Sequence, residues 1–109
     1  MDVERWVNTF AADAVSHDPV GTPAMHGHEA LRQFLTHVTA GFNTVGLTED
    51  SVFINGDTAA VKWNGAGVGK NGAEVLFEGI DVIQCNAEGK IVLVHAYWDP
   101  GPMMKAIST

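Results

Sequence analysis

The stretch Glu74-Val75-Leu76-Phe77-Glu78-Gly79-Ile80-Asp81-Val82-Ile83-Gln84-Cys85 decides the fold. It is rich in β-branched and aromatic residues and holds no proline, so it reads as one long, curved strand. Side chains alternate across a strand. That puts Phe77, Gly79, Asp81, Ile83 and Cys85 on one face, with Glu78 and Gln84 on the other. Gly79 marks an expected bend or bulge. Turn signals bound the stretch on both sides, Lys70-Asn71-Gly72 before it and Asn86-Ala87-Glu88-Gly89 after it. Ala59 to Val68 and Lys90 to Trp98 therefore read as its hairpin partners. Farther upstream, Val52-Phe53-Ile54 runs into Asn55-Gly56-Asp57, another hairpin signal, and β structure is expected from about Thr44 onward.

The chain before these strands reads as helical. Val3, Trp6, Val7, Phe10 and Ala14 recur at spacings of three and four, which predicts a first helix with Asp2 as its N-cap. Pro19, Gly21, Pro23 and Gly27 break the pattern, so residues 15–27 read as a shaped loop with short extended pieces. A second helix is expected from about His28 to Ala40. Leu31, Phe34, Leu35 and Val38 form its buried stripe, and Gly41 stops it. The tail from Asp99 carries two prolines and reads as irregular. Two helices followed by hairpin-linked strands predict an α+β fold with a curved antiparallel sheet, as a single domain over residues 1–109.

Composition narrows the function. Of 109 residues, 46% are hydrophobic and only 17% charged, below the roughly 25% typical of soluble domains. A deep apolar pocket or a subunit interface accounts for such a surface. Thirteen acids against six bases give a net charge of −7, which argues against nucleic acid and anionic membrane surfaces as partners. The single cysteine, Cys85, excludes an internal disulfide and a four-cysteine zinc site. The first residues lack the basic-then-apolar order of a signal peptide, and no apolar run nears the roughly 18 residues a membrane span needs. A soluble cytoplasmic protein is expected.

Two carboxylates stand out. Asp81 shares a strand face with Phe77, Ile83 and Cys85, where desolvation raises a carboxyl pKa and can leave it a hydrogen-bond donor. The plain alternative is a bond to a neighbouring backbone amide. Asp18 precedes Pro19 in the turn-rich loop, where Asp commonly starts a turn, yet loops also carry reactive groups. One drier and one wetter carboxylate could divide acid and base roles, with Asp81 the drier. His26-Gly27-His28, with His17 and His37 nearby, lacks an HExxH or CxxC pattern, so no metal is expected. Cys85 reads as apolar filler. Gly65-Ala66-Gly67-Val68-Gly69-Lys70-Asn71-Gly72 superficially resembles a phosphate loop but lacks the Ser or Thr after the lysine, and close strand packing accounts for it better. Trp6 and Trp63 read as core.

Asp13-Ala14-Val15-Ser16-His17-Asp18-Pro19-Val20-Gly21-Thr22-Pro23-Ala24-Met25-His26-Gly27-His28-Glu29 resembles the bacterial steroid delta-isomerases. So do Gly79-Ile80-Asp81-Val82-Ile83, Glu88-Gly89-Lys90-Ile91 and Ala96-Tyr97-Trp98. The resemblance runs from about Asp2 to Trp98. It implies the nuclear transport factor 2-like superfamily, a cone of curved sheet closed by helices. It also implies that Asp18 is the catalytic base, that Asp81 is the protonated oxyanion-hole aspartate, and that Trp98 is a pocket tryptophan. Further pocket positions fall on Phe10, Phe34, Leu35, Phe77 and Ile83. By this resemblance the base takes a proton alpha to a ketone and returns it two carbons away, without a cofactor. The acid–base logic of the ketosteroid isomerases is an established general case.

There are departures. The family's oxyanion hole also uses a tyrosine from a helix preceding the one that begins this chain. The single tyrosine, Tyr97, falls in the Ala-Tyr-Trp match and does not take that role. His17 stands where the isomerases have an acid, and Leu35 replaces an aromatic. Three functions follow as expectations: an isomerase acting on an apolar, steroid-like ketone; a polyketide cyclase-like or epoxide hydrolase-like enzyme; or a non-catalytic module binding a small apolar molecule. A homodimer is expected from the apolar composition and from family habit.

Overall fold

The computed structural model describes residues 1–108. In chain order these form α1 (Val3–Val7), β1 (Phe10–His17), β2 (Met25–His26), α2 (Gly27–Thr39), β3 (Phe42–Asn55), β4 (Thr58–Gly69), β5 (Glu74–Cys85), β6 (Ile91–Tyr97) and α3 (Gly101–Ile107). The strands make one six-stranded sheet in the order β2-β1-β6-β5-β4-β3. The sheet is mixed, not wholly antiparallel as expected, because β1 lies parallel to β6. The other neighbouring pairs are antiparallel.

The first helix is much shorter than its apolar spacing predicted. Asp2 caps it as expected, its carboxylate accepting from the Arg5 amide at 3.1 Å. It ends at Val7, and the chain enters a strand at Phe10. A separation of four fits both a helix face and a strand face, so Phe10 and Ala14 read equally well either way. Pairing with β6 decides for the strand: the Ile91 amide donates to the Thr9 carbonyl at 2.9 Å and Ser16 registers with Val94. The tail is also ordered. Pro100 and Pro102 stand at the start of α3, where a missing amide proton costs nothing, and Met103 and Ile107 are buried one turn apart.

The hairpins follow their turn residues. Gly56, at φ +63°, opens a two-residue loop between Asn55 and Thr58. Gly72 and Gly89 supply the positive φ in the next two turns. Gly79 makes no bulge, since β5 stays in register with β4 through the Trp63–Gly79 pair. Its role is clearance. A Cβ there would meet Trp63 Cζ2 at 2.5 Å and Trp98 Cβ at 2.7 Å. Gly65 clears space in the same way for the Phe77 ring, and Gly67 for Phe42.

Two cores result. Val7, Phe10, Ala14, Leu31, Val94 and Ala96 form one, where α1 and α2 cover β1 and β6. Phe42, Val75, Met103 and Ile107 form the other, under α3. Trp98 packs against both. Gly79→Ala is expected to cost about 1–3 kcal/mol of stability by overpacking. Gly46→Ala, whose added methyl meets nothing within 4 Å, should leave the thermal midpoint unchanged or raised. Thermal unfolding followed by circular dichroism reads both.

Candidate active site

Between the two cores the sheet and α2 enclose a cavity of about 450 Å³. All eight residues singled out from the sequence line it: Asp18, Asp81, Trp98, Phe10, Phe34, Leu35, Phe77 and Ile83. Phe10 arrives from β1, not from a helix, and Phe34 and Leu35 come from α2. Phe77, Asp81 and Ile83 project from one face of β5, by the alternation that the sequence predicted.

Each carboxylate is held by an indole. Trp98 Nε1 donates to Asp18 Oδ1 at 2.7 Å, and Trp63 Nε1 donates to Asp81 Oδ1 at 2.9 Å. The two indoles meet edge to face with ring centres 5.6 Å apart, and Phe77 sits 5.8 Å from Trp98 and 6.0 Å from Trp63. These three rings and two acids form one constellation. Gly79 makes the close approach of the two indoles possible. Asp18 is joined to Pro19 by a cis peptide bond, and the Val20 amide beyond it donates to the Ala96 carbonyl at 2.8 Å. The β1 end is thereby tied to the strand that leads into Trp98.

Burial raises both carboxyl pKa values. Asp18 goes to about 6 through desolvation, which the indole of Trp98 partly offsets and the nearby Asp81 charge reinforces. Asp81 is also pushed up by desolvation, with Trp63 pulling it back. Asp18 was read as the wetter of the pair, yet it is the one held at about 6. The reason is position: it follows the inward-facing Ser16 on β1 and takes on the Asp81 charge.

Sequence reasoning missed several lining residues. Trp63 was read as core and instead anchors Asp81. Its inward direction follows only from the β4 register opposite Gly79. Ser16, Val94 and Leu47 also line the cavity. The histidines scatter. His17 stacks on His95 at 4.7 Å, away from the inward-facing Ser16 and Val94, and His28 Nε2 hydrogen-bonds to the Phe10 carbonyl at 2.8 Å. His26 and His37 are exposed. Among the described residues no three histidine, cysteine or acidic side chains converge as metal ligands. No helix among them is long and apolar enough to cross a membrane.

The SnoaL-like domain model matches residues 1–94, and the chain belongs to that family. Its fold is nuclear transport factor 2-like, as solved relatives show. A putative SnoaL-like polyketide cyclase from Jannaschia sp. CCS1 is 21% identical, with a TM-score of 0.79 over 98% of this chain and 78% of that one. The epoxide hydrolase/cyclase-like enzyme SalBIII, described in pyran ring formation in the polyether salinomycin, is 24% identical, with a TM-score of 0.79 over 90% and 78%. TerC, co-crystallised with polyporic acid, is 16% identical, with a TM-score of 0.80 over 99% and 87%.

The raised Asp18 pKa carries a stability signature. Its proton is held more tightly folded than unfolded, so the associated stability is complete below the ordinary value of 3.8 and is lost as pH rises to about 6. Asp18→Asn keeps an oxygen for the Trp98 indole and removes the charge. At pH 7 this variant should be more stable than the parent by up to about 3 kcal/mol, and the gap should close near pH 4. Urea unfolding at the two pH values measures it.

Proposed function

We propose that the protein moves a proton at a carbon alpha to a carbonyl in an apolar, steroid-like ligand, with Asp18 as the base. The observation that carries this reading is a carboxylate held at one oxygen by an indole and facing an apolar cavity, with its pKa lifted to about 6. A base is most effective when its pKa lies near the working pH. Asp18 Oδ2 takes the alpha proton, and the C–H electron pair moves into the carbonyl to give a dienolate. Protonated Asp81 donates to that oxygen. Asp18 then returns the proton two carbons away, leaving a conjugated enone.

The competent form has Asp18 ionised and Asp81 protonated. The Trp63 indole works against it, because a donor to Asp81 favours the Asp81 anion. Trp63→Phe keeps a ring and removes the N–H, so it should raise kcat by about two- to tenfold, the weight of one hydrogen bond.

A second reading, a cyclase on the same cavity, is favoured by the likeness to SalBIII and to the putative polyketide cyclase. It uses the same base on a different ligand, since one fold hosts many chemistries.

Incubation with a β,γ-unsaturated 3-ketosteroid, followed by the absorbance of the conjugated enone, tests the isomerase reading. Asp18→Asn should lower kcat by about 10²–10⁴ and leave ligand binding intact. Equal turnover in the variant removes Asp18 from the mechanism. Turnover of cyclisable polyketide-like substrates alone selects the second reading.

A further inference from the structure

Ser16 brings to the cavity wall a buried hydroxyl that the proposed proton transfer does not use. Ser16 is 1% exposed, lies on the inward face of β1 between Ala14 and Asp18, and lines the cavity. The indoles of Trp63 and Trp98 donate to the two aspartates, and the Thr39 hydroxyl donates to the Leu35 carbonyl at 2.8 Å. The Ser16 hydroxyl hydrogen-bonds to none of the described residues. Among the described residues no side-chain nitrogen or oxygen fully sealed from solvent lacks a partner, so this hydroxyl keeps its small accessible surface toward the cavity. Val94, its register partner on β6, is apolar, as is Phe10, which lines the same cavity.

A hydroxyl that faces an apolar cavity with no protein partner has no packing advantage over alanine or valine. Its use lies in what enters the cavity. We infer that Ser16 is a specificity-determining residue whose hydroxyl bonds a second oxygen, hydroxyl or carbonyl, on a ring ligand bound against Asp18. Ser16 and Asp18 are two residues apart on extended chain, about 7 Å. The ligand therefore carries oxygens at two places separated by about one fused-ring length, not a single ketone on a hydrocarbon. This inference rests on the cavity being a ligand site, and it refines the substrate class: an apolar, fused-ring molecule oxygenated on two rings.

The test compares 2-naphthol with 2,7-dihydroxynaphthalene, using quenching of the cavity tryptophans to measure binding. The parent protein should bind the diol about two- to tenfold more tightly, the weight of one added hydrogen bond. Ser16→Ala should bind both equally, with its affinity for 2-naphthol unchanged. Its ligand-free thermal midpoint should stay the same or rise, because no protein hydrogen bond is lost. A preference for the diol that survives in Ser16→Ala, or no preference in the parent, overturns the inference. So does a lower midpoint in the ligand-free variant, which would reveal a protein partner for the hydroxyl. Failure of both naphthols to bind removes the ligand site itself. Loss of the base reading alone looks different: turnover is then insensitive to Asp18→Asn, while the diol preference remains.

Discussion

The hydrogen bond from Trp98 to Asp18 is the contact on which the rest of the structure turns. Trp98 follows β6 and packs against both hydrophobic cores, so its indole is fixed by most of the apolar interior. Asp18 lies at the end of β1, which is held parallel to β6 through Ser16–Val94 and His17–His95. One 2.7 Å bond thus joins the strand that starts the cone to the residue that links its cores. An aspartate without that donor would be desolvated with nothing to favour its charge, and a buried, unpaired carboxylate stays protonated. The indole leaves Asp18 weakly acidic, able both to lose and to regain a proton near neutrality.

Space for this arrangement comes from glycine. Gly65, Gly67 and Gly79 lie on inward-facing positions of β4 and β5, and a methyl group at any of them would run into Phe77, Phe42 or the two indoles. The glycine-rich run that superficially resembled a phosphate loop is a floor of small residues under large rings. The same clearance sets the cavity beside the aromatic cluster. The site is therefore a by-product of how the sheet packs its aromatics, with two acids placed where the rings leave room. Membership of the SnoaL-like family accords with this, since one fold hosts many functions through changes at its site.

Much of this was legible in the sequence because strand periodicity is simple. The alternation in Glu74–Cys85 placed Asp81 with Phe77 and Ile83, and the hairpin turns at Gly56, Gly72 and Gly89 fixed the order of β3 to β6. What was hidden depended on pairing. Phe10 and Ala14 fit two periods at once, and only contact with β6 made that segment a strand. Pro100 and Pro102 read as breakers because their place in a helical first turn is invisible without the buried Met103 and Ile107. Trp63 and Ser16 became site residues only through register, opposite Gly79 and Val94 respectively. The raised pKa of Asp18 was out of reach for the same reason: it depends on how deeply the folded sheet buries the carboxylate and on the Asp81 charge brought near it.

The most direct test of this account is the titration of the two cavity aspartates, followed through their ¹³C carboxyl resonances in the parent protein and in Trp98→Phe. Asp18 should titrate at about 6 in the parent. It should titrate higher still in the variant, because loss of the indole donor removes the one contact that lowers its pKa. An Asp18 that titrates near the ordinary value of 3.8 and is indifferent to the substitution would contradict the account.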